Sequence, residues 1–221
     1  MCSERKLQTG SRRGKLIVVS GFSGVGKGTL MKGLLSAYPD QYVLSVSVTT
    51  RKPREGEVDG VNYYFKTQEE FDRLITEDYF IEYARYTDNS YGTPRPLVEQ
   101  NLAAGRNVIL EIELQGALIV REKCPDAKLI FITTKDAETL VKRLTGRGTE
   151  TEESIRKRLT QATGEADGVE KYDHIIINDE LGASVQTLHE VIQSDEGHAP
   201  TEEELAVIRN IQSDLKRRLS I

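Results

Sequence analysis

Uninterrupted apolar runs of strand length alternate along this chain with segments whose apolar positions recur at helical spacing. The runs are "KLIVVS" (15–20), "YVLSVSV" (42–48), "NVILEIE" (107–113), "AKLIFIT" (127–133) and "HIIIN" (174–178). Lys27–Ala37, Gln115–Lys123 and Ala137–Leu144 read as the helices between them. Strands this apolar are buried on both faces, which calls for a parallel sheet covered by helices. The expected core is α/β.

Two stretches break the pattern. Between "SVSVTTR" and Pro96 the segments are short, rich in Tyr and turn residues ("REGEVDGVNYYF", "YFIEYARY", "TDNSYGT"), and fit a small antiparallel insertion better than another βαβ unit. "RLTGRGTETEESIRKRL" (143–159) is polar and arginine-rich and reads as a mobile flap. At the far end, "PTEEELAVIRNIQSDLKRRLSI" (200–221) has the marks of an appended helix. Thr201 and Glu204 have capping-box spacing, acids fill the first turn, and Lys216 to Arg218 fill the last. Leu205, Ile208, Ile211, Leu215 and Leu219 form one stripe, which needs a cover on the core or on a second subunit.

Composition narrows the partners. At 221 residues, 38% hydrophobic and 29% charged, the chain is long enough for a full core with appended subdomains. Its net charge of -5 supplies no general field for nucleic acid, so any anion must be held by local arrangement. Cys2 and Cys124 are the two cysteines, too few for a disulfide framework, and they match a reducing compartment as inert residues. The polar, basic start "MCSERKLQTGSRRGK" has no apolar stretch long enough for a signal or a membrane span. It reads as a frayed arm, and a cytoplasmic location is expected.

The chemistry concentrates at "GFSGVGKGT", Gly21 to Thr29, between the first strand and the first helix. Glycines there let backbone N–H groups turn inward, and the helix N-terminus adds partial positive charge, so the loop can wrap a polyphosphate. Lys27 adds a full charge for the β/γ-phosphates. The hydroxyl that usually follows the lysine is displaced by one residue, to Thr29. Arg51 and Arg54, just past a buried strand and followed by Tyr63, can form an anion clamp, since guanidinium forks match phosphate oxygens. On their own they equally suit a solvated loop. Glu111 and Glu113 lie two apart at the end of a buried strand and are expected on one face, beside a ligand crevice. A buried salt bridge is the alternative for Glu111.

From about Lys15 to His189 the sequence resembles the guanylate kinase family, with motifs in that family's order. "GFSGVGKGT" looks like its ATP loop, "SVSVTTRKPREGEVDGVNYYF" like its GMP subdomain, "FIEYARYTDNSYGT" and "ILEIELQG" like its guanine-site segments, and "RGTETEESIRKRL" like its lid. The resemblance implies a P-loop NTPase-like parallel sheet covered by helices, a small mixed α+β GMP-binding insertion and a helical or loop lid. The divisions expected are a flexible arm (1–14), the core (15–46, 97–141 and 172–195), the GMP-binding subdomain (47–96), the lid with its helix (142–171) and the appended helix (196–221).

The same resemblance implies roles for particular residues. ATP would be held by Gly21, Phe22, Ser23, Gly24, Val25, Gly26, Lys27, Gly28 and Thr29, with Asn178 on the adenine side. Arg51, Arg54, Tyr63 and Tyr91 would hold the GMP phosphate, and Ser47, Glu82, Thr93 and Glu113 would face the guanine. Guanine presents N1–H and amino donors beside an O6 acceptor, so carboxylates and hydroxyls make a matching set. Arg143, Arg147 and Arg158 would close on the ATP phosphates and, with Lys27 and Arg51, carry catalysis. Arg156 and Lys157 suit an exposed helix face. Mg²⁺ would enter with ATP near Thr29 and Glu111, directly or through water.

The activity implied is Mg²⁺-dependent transfer of the ATP γ-phosphoryl to GMP in purine nucleotide metabolism. Small-molecule substrates would be the partners, with no nucleic acid or membrane, and the protein would be a monomer or a homo-oligomer formed through the C-terminal helix. Two other classes fit parts of the pattern. A phosphopeptide-binding module of this fold should have a degraded phosphate loop, and here Lys27 and the glycines are intact. A kinase of a ribosyl bisphosphate could keep the clamp but has no need of Ser47, Glu82 and Thr93.

Overall fold

The computed structural model describes residues 13–86, 88–146, 152–195 and 199–220. The core sheet has strand order β2-β7-β1-β8-β9, formed by β1 (Leu16–Gly21), β2 (Tyr42–Leu44), β7 (Asn107–Glu111), β8 (Lys128–Thr133) and β9 (His174–Ile177). The pairs β2–β7 and β8–β9 are parallel. All six residues of β1 are buried, as its unbroken apolar run requires. The helices are α1 (Lys27–Ala37), α3 (Arg95–Ala103), α4 (Leu114–Lys123), α5 (Ala137–Thr145), α6 (Glu152–Ala162), α7 (Leu181–Gln193) and α8 (Glu202–Leu219).

Chain contacts divide the protein into two compact units. One comprises residues up to Ile17, Asp40–Glu111 and Gln115–Ala127; the other comprises Val18–Pro39, Ile112–Leu114 and the chain from Lys128 onward. Within the first lies a second sheet of order β4-β3-β6-β5, from β3 (Val48–Thr49), β4 (Tyr64–Phe65), β5 (Phe80–Tyr86) and β6 (Asn89–Pro94). It is mixed rather than wholly antiparallel, because β3 runs parallel to β4 and antiparallel to β6. Helix α2 (Gln68–Thr76) starts on a Thr67–Glu70 capping box and presses Phe71 against Val48 and Phe80.

The run at 42–48 is two strands. Ser45 N–H donates to Ile109 O, whereas Tyr64 N–H donates to Ser47 O, so within three residues the chain leaves one sheet and enters the other. Both strands share period-two alternation, so the alternation gives no mark of the break; the division expected between 46 and 47 rests on the family resemblance.

The second unit ends in α8, whose stripe is covered by its own chain. Ile208, Ile211, Leu215 and Leu219 are buried, and α8 packs on α5 and α6. The capping box forms: Glu204 N–H donates to Thr201 Oγ1 at 3.2 Å and Thr201 N–H to Glu204 Oε2 at 2.8 Å. Leu215 has no exposed surface, so Leu215→Ala should destabilise the protein by about 2–5 kcal/mol. A urea midpoint equal to that of the wild type would show the face to be unpacked. Cys124 is buried at the end of α4. No described helix is long and apolar enough to cross a membrane.

Candidate active site

In the second unit the chain leaves β1 at Gly21 and enters α1 at Lys27 through a loop that glycine alone can follow. Gly24 and Gly26 have φ of 85° and 96°, the left-handed region that strains other residues. A Cβ on Gly21 would sit 2.2 Å from Ile132 O. Around Gly28, by contrast, a Cβ would meet nothing within 4 Å. Gly28 and Thr29, in the first turn of α1, are exposed, and the first N–H groups of a helix have no partners within it. Lys27 folds back along the loop, donating from Nζ to Gly21 O at 2.7 Å and Phe22 O at 3.2 Å. Phe22 and Val25 point into the core, with Phe22 set edge-on against Phe131. Of the loop residues, these two can offer a ligand only main-chain groups.

Side chains from distant segments pin the loop from outside. Arg143 NH1 and Asn178 Nδ2 both donate to Val25 O at 2.9 Å, and Arg158 NH2 donates to Ser23 Oγ at 3.2 Å. Ser23 N–H donates to Glu165 Oε2 at 2.6 Å. Three of these are expected site residues: Arg143, Arg158 and Asn178 meet at the loop. Arg147 lies outside the described residues. Arg156 and Lys157 are exposed, although Arg156 NH2 also donates to Leu219 O at 3.3 Å.

The first unit brings Arg51, Tyr63 and Tyr91 together. Arg51 is fixed on several sides. Its NH2 bonds Glu57 Oε1 at 2.9 Å and its NH1 bonds Lys52 O at 2.8 Å. Its guanidinium lies 5.3 Å from the Tyr63 ring centroid and 5.9 Å from that of Phe65. Tyr91 completes the group, its ring 6.1 Å from Tyr63. Burial pushes the Tyr63 phenol above its usual range, with Tyr91 adding to the effect. The bond to Glu57 raises the Arg51 pKa despite some desolvation, and the same bond lowers that of Glu57. Arg54 brings its N–H to Glu57 Oε2 at 2.7 Å, while its side chain is exposed.

Two residues beyond Tyr91 on the same face of β6 stands Thr93. Glu82 and Thr93 are 3% and 0% exposed, and Thr93 Oγ1 donates to Glu82 Oε1 at 2.6 Å. The hydroxyl proton of Thr93 is therefore engaged with Glu82. Burial raises the Glu82 pKa to about 6, against the Thr93 bond and the charge of Lys123. Lys123 Nζ donates to Ile81 O at 2.9 Å. Ser47 uses its carbonyl for the Tyr64 N–H.

A model of the guanylate kinase family matches residues 13–195. The chain belongs to the guanylate kinase family. It is similar to the guanylate kinase of Latilactobacillus sakei subsp. sakei (strain 23K), 49% identical over 190 residues that span 86% of this chain and 94% of that one. The guanylate kinase of Synechococcus sp. (strain JA-3-3Ab) is 50% identical over 180 residues, 81% and 82% of the two chains. The crystal structure of guanylate kinase from Anaplasma phagocytophilum shares 29% identity with a TM-score of 0.65, covering 96% of this chain and 98% of that one.

The two acids of "ILEIELQG" fall in different units. β7 ends at Glu111, Ile112 N–H still donates to Val19 O at 3.3 Å, and Glu113 stands just before α4. Glu111 raises the Tyr63 pKa in the first unit. Glu113 falls in the second, where burial raises its pKa and the charge of Lys27 lowers it. Sequence reasoning within the guanylate kinase pattern passed over Glu57, Lys123 and Glu165. Glu57 sits in "RKPREGE", a turn whose acid could be suspected of pairing with Arg51. Glu165 gave no signal, because its partner Ser23 is 142 residues away.

Proposed function

We propose that the chain transfers the γ-phosphoryl group of ATP to GMP with Mg²⁺, giving ADP and GDP, as a cytoplasmic step of purine nucleotide metabolism. The observation that carries this reading is the buried Glu82–Thr93 pair on the strand face of Tyr91, in a chain that also holds Lys27 across a glycine loop. A carboxylate buried with one hydroxyl partner suits a base with adjacent N–H donors, and strand neighbours two apart, about 7 Å, separate the base contact from the phosphate clamp.

Lys27 uses two of its three N–H donors on the loop and has a third for the transferred phosphoryl. Arg51, held by Glu57 and Tyr63, orients the GMP phosphate. An oxygen of that phosphate attacks the γ-phosphorus as the bond to the ADP oxygen breaks. The acceptor phosphate is already largely ionised near neutral pH, so no general base is needed, and positioning with charge neutralisation does the work. Arg143 and Arg158 are placed to add positive charge as they leave Val25 and Ser23.

Among the described residues no cluster of three acids, histidines or cysteines is built to cage a metal. Mg²⁺ bound with ATP needs no such cage, since it keeps waters and shares phosphate oxygens. Thr29, in the exposed first turn of α1, offers a hard oxygen that fits it, and Glu111 can act through water. When bound, Mg²⁺ neutralises phosphate charge. A coupled assay of ADP release over GMP, AMP, CMP and UMP tests the reading. GMP should exceed each of the others by roughly 10²-fold or more in kcat/KM, and equal rates would overturn it.

A further inference from the structure

Helix α8 lies beyond residues 13–195, the stretch that the family model matches, yet it is tied to the segment that pins the phosphate loop. Gln212 Nε2 donates to Thr163 O at 2.9 Å and to Asp167 Oδ1 at 3.0 Å. Thr163 follows the last residue of α6, where helical carbonyls lack partners of their own. One turn into α6, Arg156 donates to Leu219 O. α8 therefore grips α6 near both ends, with its buried stripe between the two grips.

The gripped segment carries the loop's anchors. Arg158, on α6, donates to Ser23 Oγ. Glu165, between the two Gln212 contacts in the chain, accepts the Ser23 N–H. Glu165 is buried, so it cannot track a loop that drifts, and its carboxylate position is set by the backbone of 163–167. That backbone is what Gln212 holds.

From these contacts we infer that α8 is a positioning element for the ATP half of the site, and that Gln212 acts through residues 163–167 and Glu165 to fix the shape of the phosphate loop. The inference rests on Gly21–Thr29 being the ATP loop. Without the grip, ATP binding must order both the loop and the long Arg158 side chain, an entropy cost that a fixed backbone lowers. The effect belongs to ATP binding. GMP binding draws on Arg51, Tyr63, Glu82 and Tyr91, none of which Gln212 touches.

The experiment compares Gln212→Glu, Gln212→Leu and Gln212→Lys in the full chain. Glutamate keeps the size but sets an acceptor against Thr163 O and Asp167. Leucine removes the donors without repulsion, and lysine supplies N–H donors to the same oxygens. Two lost hydrogen bonds should raise KM for ATP, and the calorimetric Kd for ATP, about tenfold in Gln212→Glu and about threefold in Gln212→Leu. Gln212→Lys should stay within about twofold of wild type. KM for GMP and kcat at saturating ATP should change by less than about twofold in all three. ATP affinity unchanged in a folded donor-free variant would overturn the inference, as would an equal rise in both Michaelis constants. If Gln212→Glu does not fold, Gln212→Leu decides by the same criteria. A wild type that binds ATP but ignores GMP would refute the GMP reading and leave the ATP comparison to decide this one.

Discussion

Lys27→Met should leave the chain folded and lower kcat for phosphoryl transfer by about 10³-fold, the scale on which single preorganised charges act at phosphoryl groups. Methionine matches the length of the lysine stem and keeps good helical propensity at the first position of α1. The carbonyls of Gly21 and Phe22 lose a donor, but both lie at the loop, where water can replace it. What cannot be replaced is the single full charge within the glycine cradle. Thermal unfolding should shift little, and the calorimetric affinity for GMP should be largely retained, since its clamp belongs to the other unit. Turnover within tenfold of wild type would remove Lys27 from the mechanism.

Glu82→Gln should separate function from stability. Glutamine keeps the size and one acceptor for Thr93, but it turns an amide donor toward the N–H groups of guanine. Loss of a charged hydrogen bond, with a donor facing donors, should lower kcat/KM for GMP on the order of tenfold to a few hundredfold, with KM for ATP unchanged. Stability should move the other way. The folded pKa of Glu82, about 6, lies above its ordinary value of 4.5. Its contribution is therefore fully present below about pH 4.5 and lost as pH rises through 6, an order of 2 kcal/mol by linkage. Above that range the neutral amide avoids the cost, and Glu82→Gln should be the more stable protein, while below pH 4.5 the two should converge.

The same carboxylate sets a pH signature. kcat/KM for GMP in the wild type should fall as pH drops through about 6, because a protonated Glu82 no longer accepts both guanine donors. The phosphate of GMP titrates in the same region. The variant separates the two, since it keeps the substrate's limb and loses that of Glu82. Identical acid limbs in both proteins, or an unchanged GMP efficiency, would make Glu82 an ordinary buried strand residue.

Sequence and structure agree where a backbone requirement is written into residue type. The glycines of 21–28 are legible because a left-handed turn and the close approach to Ile132 O leave few alternatives. β1, β7, β8 and β9 are legible because burial on both faces removes polar interruptions. The exchange of sheets at Ser45–Ser47 is not legible in the alternation, which serves either sheet, and only the family resemblance put a division there. Glu113 lies past the last residue of β7, beyond the stretch to which strand periodicity strictly applies. The bond between Thr93 and Glu82 is not legible either, because only packing shows that the Thr93 proton goes to Glu82. The stripe on α8 was plain, but a stripe does not name its cover, and α5 and α6 supply it.

The contacts that pin the phosphate loop also order events in time. Val25 is bonded by Arg143 and Asn178 from 118 and 153 residues away, and Ser23 by Arg158 and Glu165 from 135 and 142. The entropy of closing such long spans must be met before those bonds return anything. The nine-residue motif that looks most local on paper is therefore among the last pieces the folding chain can finish. A nascent chain on the ribosome that has not yet reached Arg143 carries all the glycines and Lys27 but none of these anchors. The loop's full set of anchors exists only once the chain has been made through Asn178, long after the motif itself has emerged.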